Sequence, residues 1–308
     1  MATPPLSTLK PVRRSRFALR WYSWLLLVAA IAYGVAFAMH WDDRGMLWLQ
    51  ERFESPAARQ ESVWLPDYQA VIDAKPLPGL EKDEASDLAY DPQSKTLFSV
   101  MGKNPFLVEL SLQGDVLRKM PLVGWSNPEG VTVLGNGLLA IVDERDHLIT
   151  IVRVDADTRE LNIANFAKYD LGPSKDQNKA FEAITWDSRN QQLLLGEERP
   201  PALFTWKGDG QKLIGEKQKL ASDELDVRNL SALAIDPRTG HTLVLSADSH
   251  LLLELDEKGE QVSFMTLLGG FNGLKKTIPR AEGVTMDEAG TLYMVSEPNL
   301  FYRFEKQR

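Results

Sequence analysis

Seven carboxylates stand at matched places along this chain. Glu129, Glu182 and Glu282 each sit beside a small residue (Gly130, Ala183, Gly283) at the head of a short apolar run. Glu144, Glu198, Asp248 and Glu297 each close a second apolar run further on. Like charges gathered at short range are costly unless a cation neutralises them. Oxygen-only ligands point to a hard ion, and a roomy, irregular cage favours Ca²⁺ over Mg²⁺. The competing reading is that acids in loops are solvated surface. It weighs most on the four that end apolar runs. It weighs least on Glu129, Glu182 and Glu282, where an unpaired charge at the head of a buried strand is expensive.

Other chemistry is sparse. There is no G-x-S-x-G elbow, Walker A loop, G-x-G-x-x-G, H-E-x-x-H or EF-hand loop. Asp155-Ala156-Asp157 begins like a calcium loop but lacks the Gly and Glu that should follow. Of the 4 histidines, His147 and His250 occupy matching places just after a second apolar run, on the same side as the acids. A general base there is conceivable, but a turn histidine explains the position more simply. With no cysteine, disulfides, thiolate metal sites and a Cys nucleophile are excluded. Trp125, Trp186 and Trp206 fall in or beside apolar runs and read as packing residues.

The acids are placed by a repeat. Segments starting at Ala85, Pro128, Phe181, Leu230 and Ala281 each read as an alternating apolar run, a turn rich in Asp, Pro, Gly or Asn, and a second apolar run. That is a β-hairpin. Further strand-like pieces follow each one, such as FLVEL from Phe106 and LLLELD from Leu251. Taking Ser86, Glu129, Glu182, Ser231 and Glu282 as equivalent gives periods of 43, 53, 49 and 51 residues. Four strands at that period make a propeller blade, and no helical pattern intervenes. The expected fold is therefore all-β, a five-bladed β-propeller over residues 63–308. The last unit lacks an outer strand, and Leu65 to Leu77 has no hairpin partner, so this N-terminal strand is expected to close the ring. An innermost strand starts where its antiparallel neighbour ends, so both sets of acids should share one mouth of the central channel.

Ahead of the repeats, Trp21 to Met39 runs for nineteen residues without a charge, preceded by Lys10, Arg13, Arg14, Arg16 and Arg20 and followed by Asp42 and Asp43. That length just crosses a bilayer core, and the flanking charges put residues 1–20 in the cytoplasm and the rest outside. Ala36-Phe37-Ala38 offers a competing reading as a cleavage site, but the apolar run and the basic region are both long for a signal peptide. The expected layout is a basic tail (1–20), a transmembrane anchor in the inner membrane (21–39), a polar tether (40–62) and an extracytoplasmic, periplasmic propeller. The tail carries +5 of a net charge of −8, leaving −13 on the rest. A body that acidic repels phosphate backbones, so no nucleic-acid partner is expected.

The hairpins NPEGVTVLGNGLLAIVDERD from Asn127, LSALAIDPRTGHTLVLS from Leu230 and AEGVTMDEAGTLYMVSEPNLFYRF from Ala281 resemble the SdiA-regulated family. The resemblance covers about residues 65–308. It implies a five-bladed propeller distantly similar to NHL repeats and strictosidine-synthase-like domains, behind one N-terminal membrane anchor, with calcium in the propeller. The first blade departs from the family pattern, having Ser86-Asp87 and Gly102-Lys103-Asn104, which puts a ligand from that blade in question. Two functions remain in view. One is a calcium-binding module that scaffolds an envelope protein or holds a small ligand. The other is a metal-dependent hydrolase of lactonase or strictosidine-synthase-like type, in which the ion would polarise a carbonyl or activate water. The shortage of candidate bases favours the first.

Overall fold

The computed structural model describes residues 21–38, 41–172, 181–220, 225 and 227–307. From Ala85 onward the chain builds one antiparallel sheet after another, each beginning at the centre and ending at the rim. Blade one runs Ala85–Asp91, Thr96–Met101, Phe106–Leu110 and Val116–Val123, with Leu161–Asn162 added in parallel to its rim. Blade two runs Pro128–Gly135, Leu138–Asp143, Leu148–Arg153 and Ala167–Asp170. Blade three runs Phe181–Asp187, Gln192–Glu197, Ala202–Lys207 and a short Gln218–Lys219. Blade four runs Ala232–Ile235, Thr242–Ser246, Leu251–Leu255 and Gln261–Thr266.

Blade five supplies only Ala281–Met286, Leu292–Ser296 and Leu300–Lys306, and its fourth strand is Tyr68–Pro76 from the other end of the domain. The register runs from Tyr68 opposite Lys306 to Pro76 opposite Leu300. The expected closure holds, with Leu65–Asp67 forming a 3₁₀ turn ahead of the strand. Tyr68 is fully buried and its hydroxyl donates to the Gly290 carbonyl at 2.9 Å.

The alternating sequence explains the layering. Innermost strands are covered on both faces, as in Ala281–Met286, whereas the rim strand Val116–Val123 alternates buried and exposed residues. The core is five wedges, each between neighbouring blades. Phe98, Val100, Leu139 and Ile141 fill one between blades one and two, and Leu243, Leu245, Met294 and Phe304 fill one between blades four and five. Each innermost strand packs on the next, and the last packs on the first.

The aspartate recurring after most innermost strands is a turn former. Asp91 accepts the N–H of Gln93 at 3.0 Å, Asp187 that of Asn190 at 3.0 Å, Asp236 that of Arg238 at 3.2 Å and Asp287 that of Thr291 at 2.7 Å. Blade two uses Asn136-Gly137 instead, both at positive φ (53° and 72°), the backbone a tight hairpin turn requires.

Residues 1–20, Met39 and His40 lie outside the described residues, and with them the basic tail. Trp21–Ala38 is a helix of 18 residues on which Trp21, Trp24, Leu26, Val28, Ile31 and Tyr33 are exposed. Among the described residues no helix is long and apolar enough to cross a membrane. At 1.5 Å per residue the 18 residues of Trp21–Ala38 reach about 27 Å. The segment expected as a plain tether is structured. It contains the helices Trp41–Phe53 and Pro56–Glu61, and Leu47 and Glu51 are packed on blade four. A helix repeats its face every three or four residues, so an apolar Leu47 and a hydrogen-bonding Glu51 lie one turn apart on the docked side.

A carboxylate-lined channel mouth

At the mouth where the innermost strands begin, Glu129, Glu182 and Glu282 come close enough to perturb one another. Burial raises Glu182 to about 10, and the carboxylates of Glu198, Glu129, Glu144 and Glu282 add to the shift. Burial likewise raises Glu129 to about 8, with Glu144 and Glu282 raising it further and hydrogen bonds from Ser86 and Asn127 holding it down. Glu282, with 11% of its side chain exposed, is raised by burial to about 7 despite Arg280 and a hydrogen bond from Ser231. These three groups carry protons near neutrality when nothing else neutralises them.

The small residues beside them let the blades meet. A Cβ on Gly130 would lie 2.4 Å from the Glu182 carbonyl oxygen, and one on Gly283 would lie 2.7 Å from the Asp87 carbonyl carbon. Glu-Gly at the head of an innermost strand thus brings the next backbone to the channel wall.

The acids that end second strands are placed differently. Arg199 pairs with Glu198 at 3.2 Å and also with Asp248 of the next blade, whose side chain is 47% exposed. Arg280 pairs with Glu297 at 2.7 Å and with Glu282 at 3.3 Å. Burial still raises Glu297, with Arg280 opposing. Glu144 accepts the Asn127 amide at 2.9 Å. Arginine therefore compensates one side of this ring, at Glu198, Asp248, Glu282 and Glu297, while hydrogen bonds rather than an arginine hold Glu129 down.

Blade one also borders this mouth. A Cβ on Gly102 would stand 2.9 Å from Glu129 Oε1, 3.0 Å from Ser86 Oγ and 3.3 Å from Asn127 Oδ1. Three oxygens from two segments border one small space that only glycine leaves open. Their supports are built in. The Asn127 Nδ2 group is engaged by Glu144, which turns Oδ1 toward that space. Asp143, fully buried, accepts the N–H groups of Ser126 at 2.6 Å and Asn127 at 3.1 Å and so fixes their loop. Sequence alone does not single out Ser86, Gly102 and Asn127, although they occupy or adjoin the aligned positions. Asp87, the residue that departs from the pattern, is a buried fastener. It accepts the N–H of Val131 in blade two at 2.9 Å, and burial pushes its carboxyl well above the usual range.

The two matching histidines are turn residues. His147 and His250 have φ of 52° and 47°, and their carbonyls accept the N–H of Leu171 and Leu267 at 2.8 and 2.9 Å. Histidine is among the side chains that tolerate this backbone. Among the described residues, no three His, Cys, Asp or Glu side chains lie close enough together to hold a metal ion by themselves.

The SdiA-regulated family profile matches residues 60–305. Among solved structures, a glutaminyl cyclase of Myxococcus xanthus is similar at a TM-score of 0.54 and 15% identity, over 77% of this chain and 95% of that one. A streptogramin B lyase structure is similar at a TM-score of 0.47 and 10% identity, over 78% and 98%. The nidogen/laminin complex contains a chain similar at a TM-score of 0.48 and 16% identity, over 69% and 72%. At these identities the likeness is one of fold.

Proposed function

The chain belongs to the SdiA-regulated family, and on that premise we propose that it is a calcium-binding propeller acting as a binding module rather than an enzyme. The observation that carries this reading is the convergence of Glu129 Oε1, Ser86 Oγ and Asn127 Oδ1 on the space left by Gly102. The donors are all oxygen, one of them a carboxylate and one a side-chain amide carbonyl, a set suited to Ca²⁺ with water completing its shell. An ion served this way needs no trio of carboxylates. Glu182 and Glu282, buried nearby, would supply the remaining negative field, and Glu144 would hold Asn127 in its ligating orientation. Binding would displace protons from groups that otherwise retain them.

The hydrolase alternative draws less support. It needs a base within reach of the ion, and the sequence offers only the turn residues His147 and His250 as candidates. On the same footing we read the charge-free helix Trp21–Ala38, which exposes Trp21, Trp24, Leu26, Val28, Ile31 and Tyr33, as the inner-membrane anchor, with the propeller in the periplasm. An envelope protein or a small ligand at the channel mouth is the expected partner.

The test of the ion is thermal unfolding of the full chain. Calcium should raise the melting temperature above that in chelator, with a stabilisation of about 2.7 kcal/mol at 100 times the dissociation constant. Gly102→Ala, which puts a methyl group among the three oxygens, should abolish that response. Equal melting with calcium and with chelator would rule the ion out. For the anchor, a periplasm-dependent reporter fused after Arg308 should be active, and an inactive one would reverse the orientation.

A further inference from the structure

Between the first helices and the closing strand, the chain lies across the rim of blade four. Leu47 packs with Phe264 on the wedge between blades three and four. One turn on, the Glu51 carboxylate, 9% exposed, accepts the Phe264 N–H at 2.9 Å. Phe264 belongs to Gln261–Thr266, the outermost strand of that blade. Arg59 then reaches back to donate to the Glu51 carbonyl at 3.0 Å and stacks its guanidinium over Trp64 at 4.6 Å.

The next residues are gripped by one carboxylate. Glu254, fully buried, accepts the N–H of Val63 at 2.7 Å and that of Trp64 at 3.0 Å. It also accepts the Ser263 hydroxyl at 2.5 Å and contacts His241 Nδ1 at 2.6 Å. Ser263 Oγ in turn accepts the Leu65 N–H at 3.0 Å, and Lys306 Nζ donates to the Val63 carbonyl at 2.8 Å. Strand-edge groups, a buried acid and a histidine are thus all spent on holding 47–65 in place.

We propose that residues 47–65 form a proton-dependent strap, which docks on blade four while Glu51 holds its proton and loosens as it loses it. Glu51 faces Arg59 and Glu254, and His241 faces Glu254, Asp256 and Asp236, the last paired with Arg238 at 3.0 Å. Burial raises Glu51 to about 7, and the Glu254 charge adds to it, against the Phe264 N–H and Arg59. The hydrogen bond to Glu254 raises His241, with its neighbouring acids adding and burial opposing.

Glu51 leaves with the strap, whereas His241 and Glu254 both stay on blade four, so Glu51 sets the direction. The docking it favours is complete below its ordinary value and is lost as pH climbs through the raised one. A released strap returns Glu51 to 4.5, so a docked value of about 7 weakens docking about 30-fold between pH 5.5 and 8.5.

Hydrogen exchange of the full chain at pH 5.5 and 8.5, corrected for the intrinsic rate, tests this. The mouth glutamates make global stability pH-dependent too, so the readout is a ratio. Protection at Val63, Trp64, Leu65 and Phe264 is divided by protection at Leu253 in the same sample. The ratio should fall about 30-fold in the native chain. Glu51→Gln, which still accepts the Phe264 N–H, should remove most of that fall. A ratio that does not change with pH overturns the proposal, as does a fall in Glu51→Gln as steep as in the native chain.

Discussion

Replacing Glu182 by Gln should stabilise the calcium-free propeller, and by an amount that grows with pH. The folded chain holds a proton on Glu182 up to about pH 10, whereas an exposed glutamate releases it near 4.5. Between those values the folded state binds a proton that the unfolded state has lost, so stability falls as pH rises across the window. At pH 8 the distance from 4.5 is about 3.5 units, and at about 1.4 kcal/mol per unit the ceiling is about 5 kcal/mol. Coupling to Glu129, Glu144, Glu198 and Glu282 and local relaxation reduce it, so a gain of roughly 3 kcal/mol is the working expectation at pH 8. At pH 5 the same linkage gives under about 1 kcal/mol. Gln keeps the shape of the protonated acid and needs no proton to fold. Urea unfolding of native chain and Glu182→Gln in chelator at pH 5, 6.5 and 8 reads the difference directly. A difference that is flat across pH, or a variant less stable at pH 8, would refute the burial of an uncompensated acid at this mouth.

The ring closure makes Tyr68 a core residue of blade five, so Tyr68→Ala should cost about 3–5 kcal/mol in urea unfolding. A chain beginning after Leu77 should aggregate from its open edge, while one beginning at residue 47 should stay monodisperse in light scattering. Gly283→Ala, whose methyl group would meet Val295 Cγ2 at 2.6 Å and Asp87 backbone at 2.7 Å, should lose about 1–3 kcal/mol or more, seen as a lower melting temperature.

The blades are legible because hairpin signals are local. Alternation with period two, the Asp or Asn-Gly turn and the spare strand at Leu65–Leu77 each declare themselves within a dozen residues, and the structure assembles them as read. Glu129, Glu182 and Glu282 are legible for the same reason, since the head of an innermost strand must lie at the channel. What the repeat does not reveal depends on neighbours in space. Arg199 and Arg280 sit beside Glu198 and Ala281 in sequence, yet that they bridge acids follows only from the placement of the blades. Asp87 reads as a defect in the pattern, and its partner Val131 lies in another blade. Gly102 matters for an atom it lacks, which no alignment of side chains exposes. The segment 40–62 carries enough charge to read as a tether, and only the i, i+4 pair Leu47 and Glu51 hints at the docked face.

Calorimetric titration of calcium into the full chain at pH 7, repeated in two buffers of different ionisation enthalpy, bears most directly on the channel mouth. Glu129, raised to about 8, is mostly protonated at that pH and must release its proton to ligate the ion. Saturable binding with at least about one proton released per ion is expected, from Glu129 and with Glu182 and Glu282 adding to it as they ionise, and both should be lost in Gly102→Ala. Absence of binding heat in both buffers would contradict the calcium site, as would calcium binding that releases no proton and is indifferent to Gly102→Ala.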